Sequence, residues 1–152
     1  MNRDETNPST LALPPTARSL PIVLLRAREK VMAPFREMLS KTDITEQQWR
    51  VLRVLSELGP QDSSRLAHRT CLLLPSLTRI SHSMLEKGYI SRTTDTRDRR
   101  RLTLAITAKG QQLIHDNHER SAQISASFKQ ALGEEKYETL LDLLTELEEL
   151  DI

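Results

Sequence analysis

Residues 75–107 read PSLTRISHSMLEKGYISRTTDTRDRRRLTLAIT, and the pattern changes period part-way. Between Pro75 and Gly88 apolar residues fall at Leu77, Ile80, Met84 and Leu85, the three- and four-residue spacing of a helix with one buried stripe. Pro75 suits a first helical turn, and Gly88 suits a stop. On a wheel of about 100° per residue, Ser81 joins that stripe, while Pro75, Arg79, His82 and Glu86 lie opposite, flanked by Ser76, Thr78 and Ser83. Residues 89–93 and 102–106 then alternate apolar with polar and predict the two strands of a hairpin. The segment that joins them is dense in cations: five Arg and two Asp stand between Ser91 and Arg101.

Upstream, Thr45-Glu46-Gln47-Gln48 has the form of a capping box. Trp49, Leu52, Leu55 and Leu58 follow on one face, and Gly59-Pro60 ends the helix. Asp62 or Ser63 is placed to cap a short helix reaching about Thr70, and residues 71–74 form the turn before Pro75. Helix, turn and helix are thus followed by a two-stranded wing. Residues 20–39 carry Leu20, Val23, Leu24, Ala27, Val31, Phe35 and Met38 at near-helical spacing, with Pro21 in a first turn. Pro34 is expected to kink or end that helix. Downstream, Thr107 caps a long helix with Leu113, Ile114, Ile124, Phe128 and Leu132 on its apolar side. A last helix, roughly 134–150, carries Tyr137 and leucines 140, 141, 143, 144, 147 and 150. That stripe is too wide for the surface of a monomer.

The expected fold is mainly α with a small β-hairpin. A winged helix-turn-helix DNA-binding region spans 45–107. A helical dimerisation region combines the N-terminal helix, 18–44, with the C-terminal helices, 108–152. Residues 1–17, with Pro8, Ser9, Thr10, Pro14 and Pro15, read as a mobile lead-in.

With 152 residues there is room for one domain with helical extensions. A formal net charge of +1 argues against nucleic acid, but it averages two opposed regions. Residues 65–101 hold nine Lys and Arg against three Asp and Glu, and residues 133–152 hold one Lys against eight Asp and Glu. The basic region coincides with the helix from Pro75 and the wing, where phosphates would lie, and the acidic one with the last leucine-striped helix. Aromatic residues make up only 3%, too few for a platform that stacks single-stranded bases. No apolar run is long enough to span a bilayer. Asp4 and Glu5, without an apolar stretch, argue against a signal peptide. One cysteine, Cys71, fits a reducing cytoplasm. Four glycines form no phosphate loop, and no nucleophile elbow or triad spacing occurs, so an enzyme is not expected. No metal site is expected either, although His115 and His118 share a helix face.

In a recognition helix the first turns face base edges in the major groove. Arg79 is the best base reader, since its fork can donate to guanine O6 and N7 together. Ser76 and Thr78 suit phosphate or base contacts, and His82 reaches either. Alone, this could be a plain amphipathic helix with a solvated face. The arginine-rich wing shifts the balance, because crowded guanidinium groups repel one another unless an anion relieves them. A phosphate backbone or a narrow minor groove does so. Asp95 and Asp98 are expected to pair with neighbouring arginines and hold the shape of the wing.

The segments Leu85-Glu86-Lys87-Gly88-Tyr89-Ile90, Asp95-Thr96-Arg97-Asp98-Arg99-Arg100 and Leu104-Ala105-Ile106-Thr107-Ala108-Lys109-Gly110, placed after a helix-turn-helix, resemble the MarR family of winged helix-turn-helix regulators. The resemblance covers about residues 18–150. A closer similarity, to the HpaR branch that regulates homoprotocatechuate degradation operons, rests on Leu24-Leu25-Arg26-Ala27-Arg28-Glu29, Thr45-Glu46-Gln47-Gln48-Trp49-Arg50 and Pro75-Ser76-Leu77-Thr78. It implies an obligate homodimer with interlocked terminal helices that binds a pseudo-palindromic site on double-stranded DNA. It also implies a pocket for a small aromatic acid or phenol whose binding releases DNA, with no other cofactor. Carried onto this sequence, Pro75, Ser76, Thr78, Arg79 and His82 belong to the reading helix, and Arg97, Arg99 and Arg100 to the wing.

For the effector, Arg28 offers a fork to a carboxylate, Trp49 a wall for a ring, and Ser19 a hydroxyl. Structural alternatives stand beside each: Trp49 as a core residue, Arg28 as one side of an ion pair. Cys71 reads as a buried core thiol rather than a redox sensor. The expected function is a repressor of an aromatic-compound catabolism operon. The competing class is an architectural or protein-interaction module without a small-molecule ligand.

Overall fold

The computed structural model describes residues 12–152, so most of the expected lead-in, Asp4 and Glu5 included, lies outside the described residues. Thr16–Arg18 forms a single 3-10 turn. Helix α1, Leu20–Leu39, follows. It continues through Pro34, so the helix does not end there. The fixed φ of proline is compatible with helical backbone, and what is lost is the bond its amide would donate to the Lys30 carbonyl, in an exposed stretch. Within residues 12–33 the side chains of Leu20, Val23, Leu24, Leu25 and Val31 are all exposed.

Residues 34–152 hold one core. Helix α2, Glu46–Leu58, starts at the expected capping box. The Gln48 amide donates to Thr45 Oγ1 at 3.2 Å, and the Thr45 amide to Gln48 Oε1 at 3.0 Å. Gly59 closes it at φ +76°, a left-handed conformation that favours glycine. Asp62 then caps the short helix α3, Ser63–Arg69, accepting from the Arg65 amide at 2.9 Å. Helix α4, Leu74–Glu86, starts one residue before Pro75. It buries Leu77, Ile80, Ser81 and Met84, the stripe read from the sequence.

Strands β2, Ile90–Thr94, and β3, Leu102–Ile106, pair antiparallel with Ile90 opposite Ile106 and Thr94 opposite Leu102. A two-residue strand β1, Gln61–Asp62, adds to the free edge of β3 and makes the sheet three-stranded, in the order β1-β3-β2. The hairpin expectation omitted it, because two residues carry no period of their own. Helix α5, Ala108–Leu132, is capped by Thr107, whose hydroxyl accepts from the Gly110 amide at 3.2 Å. Helix α6, Glu134–Glu148, buries no residue of its own. Among the described residues no helix is long and apolar enough to cross a membrane.

The core joins Met38, Leu39, Ile44, Trp49, Val51, Leu52, Leu55, Leu66, Leu77, Met84, Ile90, Leu104 and Ile124. Cys71 is not in it. The thiol is exposed, and Cys71 sits in the helix-turn-helix corner at φ +52°. The chain must reverse between α3 and α4 there, which turns this side chain outward instead of inward.

Candidate nucleic-acid interface

Several contacts set the orientation of α4. Gln48, buried on α2, reaches across to donate from Nε2 to Ser83 Oγ at 3.4 Å. At the other end, Tyr89 is buried, and its hydroxyl donates to Asp43 Oδ1 at 2.5 Å. That bond pushes the Tyr89 phenol up to about 12 and holds the Asp43 carboxyl below its ordinary range, where the nearby Lys87 and Lys109 also help. Lys87 Nζ donates to the Asp43 carbonyl, and Lys109 Nζ lies 4.7 Å from the centre of the Tyr89 ring. The Thr107 amide and hydroxyl donate to the Tyr89 and Gly88 carbonyls at 3.1 and 2.6 Å. Gly110 fits beneath: a Cβ there would collide with the Tyr89 carbonyl oxygen. The foot of the wing and the end of α4 are therefore tied to the loop before α2.

So held, α4 turns Pro75, Thr78, Arg79, His82 and Glu86 to solvent, with Ser76 half-buried. Thr78 Oγ1 donates back to the Leu74 carbonyl at 3.0 Å, which leaves the oxygen available as an acceptor. His82 Nε2 lies 3.3 Å from Glu86 Oε1, one turn along and fully on the surface. The Arg79 side chain has no hydrogen bond or ion pair among the described residues.

The wing departs from expectation in one respect. Asp95 and Asp98 do not pair with guanidinium groups. Their carboxylates accept backbone amides, from Arg97 at 2.8 Å and from Arg100 at 3.0 Å. Two such turns, with the Asp95 amide on the Arg101 carbonyl at 3.1 Å, fix the tip of the hairpin. An amide two residues along is within reach of a short Asp side chain, whereas a guanidinium extends outward. The consequence is that Arg92, Arg97, Arg99, Arg100 and Arg101 are all exposed and none has an ion pair among the described residues. Arg101, which the sequence reading did not single out, lines a groove of about 510 Å³ with Arg100, Arg65, Asp62, Ser63, Ser64, Leu74, Thr78 and Leu102. Its signal was present in the alternation, since Arg101 flanks the first residue of β3. The groove joins the start of α4 to the wing; Arg65 meets Asp62 there at 3.5 Å, while Arg100, Arg101 and the hydroxyls of Ser63, Ser64 and Thr78 offer the chemistry that a phosphate backbone accepts.

The residues proposed for an effector lie elsewhere. Trp49 is 7% exposed and belongs to the core. Arg28 approaches Glu29 at 3.6 Å with both side chains about half exposed, and Ser19 is partly buried just before α1. A separate cleft of about 750 Å³ within residues 34–152 is lined by Glu37, Met38, Lys41, Thr42, Asp43, Tyr89, Leu113, Asp116, Asn117 and Arg120, and Trp49 is not part of its wall.

The family model described as "MarR family" matches residues 44–102, the stretch from α2 through the wing. The HTH-type transcriptional regulator FarR of Neisseria gonorrhoeae is 38% identical over 133 residues, which span 88% of this chain and 91% of that protein. The chain belongs to the MarR family. The homoprotocatechuate degradative operon repressor of Escherichia coli is also 38% identical, over 84% of this chain and 86% of its own. A crystal structure of NadR in complex with 4-hydroxyphenylacetate superposes with a TM-score of 0.80 at 36% identity, covering 93% of this chain and all of the other. This MarR-family protein is thus a DNA-binding transcriptional regulator and not an enzyme, on the winged-helix fold the sequence predicts.

Proposed function

We propose that this MarR-family chain is a repressor of an aromatic-compound catabolism operon. It acts as a cytoplasmic homodimer on a pseudo-palindromic operator, and a small aromatic acid releases it. The observation that carries DNA reading is the exposed ridge of α4 standing beside five wing arginines that no carboxylate among the described residues neutralises. Arg79, with Ser76, Thr78 and His82, reads base edges, and Pro75 sets the start of that surface. Arg97, Arg99 and Arg100 take phosphates or the minor groove. Dimerisation is supported by the exposed leucines of α1 and α6, where Leu20, Leu25 and Leu143 each leave more than half their surface to water.

The aromatic effector is supported by the likeness to NadR with 4-hydroxyphenylacetate and to a repressor named for homoprotocatechuate. Arg28 is the proposed carboxylate partner. Ser19 is the proposed partner of a ligand oxygen, and Trp49, buried in the core, is proposed only as packing behind the ligand. Titrating the protein against labelled DNA from upstream of its own gene, at two salt concentrations, tests the reading. The expected result is a preference for that DNA over random sequence, lost when hydroxyphenylacetates, hydroxycinnamates or benzoates are added. No preference at either salt concentration would sink it.

A further inference from the structure

Three of the helices that build the DNA-reading half carry an oxygen-bearing cap: Thr45 for α2, Asp62 for α3 and Thr107 for α5. Helix α4 breaks the rule. Its cap position holds Leu73, which makes no side-chain capping bond and leaves 77% of its surface in water. A leucine is among the poorest residues for that position, since it satisfies none of the free amides of the first turn. Burial does not repay the choice within the chain. Leu73 is absent from the core, whereas its neighbour Leu72 packs against it. The next residue, Leu74, is 46% exposed and lines the groove with Thr78, Arg100 and Arg101. Two apolar side chains therefore stand at the leading end of the reading helix, beside a groove that holds Arg100 and Arg101, unpaired among the described residues, the Arg65–Asp62 pair and several hydroxyls.

The charge around them says what covers them. An apolar protein partner would have to bury Arg79, Arg100 and Arg101, none of which has an ion pair among the described residues to neutralise it. A duplex neutralises the arginines with phosphates and offers one apolar group in its major groove, the C5 methyl of thymine. We propose that Leu73 is a specificity residue that packs against a thymine methyl at one position of each operator half-site. Leu74 walls the contact off from water. The inference rests on the DNA-reading function proposed above and adds a base preference that no hydrogen-bonding side chain of α4 supplies.

The test uses the full-length protein and starts without a known operator sequence. A consensus is selected from a random duplex library, and each thymine in it is replaced singly by deoxyuridine, which removes the methyl and leaves every hydrogen-bonding edge intact. For the native protein one replacement per half-site should weaken binding about fourfold, the worth of one buried methyl at about 0.8 kcal/mol. Leu73→Ala should bind the thymine and deoxyuridine duplexes within twofold of each other at that position. Leu73→Ser, which returns a capping oxygen to α4, should show the same insensitivity while unfolding no more easily than the native chain. Separate outcomes have separate meanings. Failure to select any consensus would refute sequence-specific DNA reading as a whole. A clear consensus in which no deoxyuridine matters, or in which the penalty is unchanged in Leu73→Ala, would overturn the assignment of Leu73 alone.

Discussion

Replacing Gly110 by alanine separates local from tertiary effects in one substitution. Gly110 lies in the first turn of α5 and donates its amide to the Thr107 cap. Helix propensity alone predicts a gain of about 1 kcal/mol for alanine. The surroundings predict the opposite. A Cβ at this position would run into the Tyr89 carbonyl oxygen and lie 2.7 Å from Ile106 Cγ1. The carbonyl cannot swing aside, because it accepts the Thr107 amide at 3.1 Å. Relieving the overlap must move the start of α5 away from the foot of the wing, an overpacking cost of about 1–3 kcal/mol. Loosening the Thr107 cap adds about 1 kcal/mol. Set against the propensity gain, the net loss is about 2 kcal/mol, or roughly 4–8 °C in Tm for a chain of this size. Calorimetry or urea unfolding at one fixed protein concentration measures it, since a dimer's midpoint moves with concentration. Operator affinity should fall as well, because the wing is carried on the displaced backbone. An alanine variant as stable as the native protein, or more so, would refute the claim that this contact holds the wing.

Other outcomes follow from the same geometry. Tyr89→Phe should cost about 1–2 kcal/mol at neutral pH by removing a bond to a charged group. The native contribution should fade as pH falls below the ordinary aspartate range, where Asp43 takes a proton, and as pH rises between about 10 and 12, where Tyr89 loses one. Urea midpoints that differ equally at about pH 3, 7 and 11 would count against it. Arg79→Ala should weaken operator binding by about 1–3 kcal/mol and relax the preference at one base pair; an equal loss on all duplexes would make Arg79 a phosphate contact. Arg100→Ala, which removes one phosphate contact per half-site, should reduce the slope of log affinity against log salt by about 2 for the dimer, and an unchanged slope would place that guanidinium off the backbone. Leu143→Glu should raise the dimer dissociation constant at least about tenfold, roughly 1.4 kcal/mol, in sedimentation equilibrium; a dimer of native strength would exclude this face of α6 from the interface.

Much of the fold was legible because its signals are short-range. Thr45 and Gln48 declare a helix start through two reciprocal bonds that need nothing beyond four residues. The α4 stripe follows from helical period alone, and Leu77, Ile80, Ser81 and Met84 are buried as that period requires. What escaped depended on partners distant in sequence. Gln61 and Asp62 become a strand only because the edge of β3 passes beside them. Cys71 faces water because the corner between two helices is set by their packing, not by the polarity of the thiol. Pro34 does not end α1, because a helix survives the loss of one bond where its φ already fits. Among the candidate interface residues, the exposed ridge of α4 could be drawn on a wheel. The groove that Arg101 lines could not, since it exists only once the wing is folded against α4.

The two aspartates at the tip of the wing separate shape from charge. Because Asp95 and Asp98 secure the hairpin through main-chain amides, the conformation of the loop does not depend on which side chains follow them. The guanidinium groups at 97, 99 and 100 are passengers on a frame that stands without them. Each can be gained, lost or exchanged for lysine without rebuilding the turn. On the proposed reading, operator affinity can therefore be tuned one cation at a time while the turn keeps its main-chain bonds.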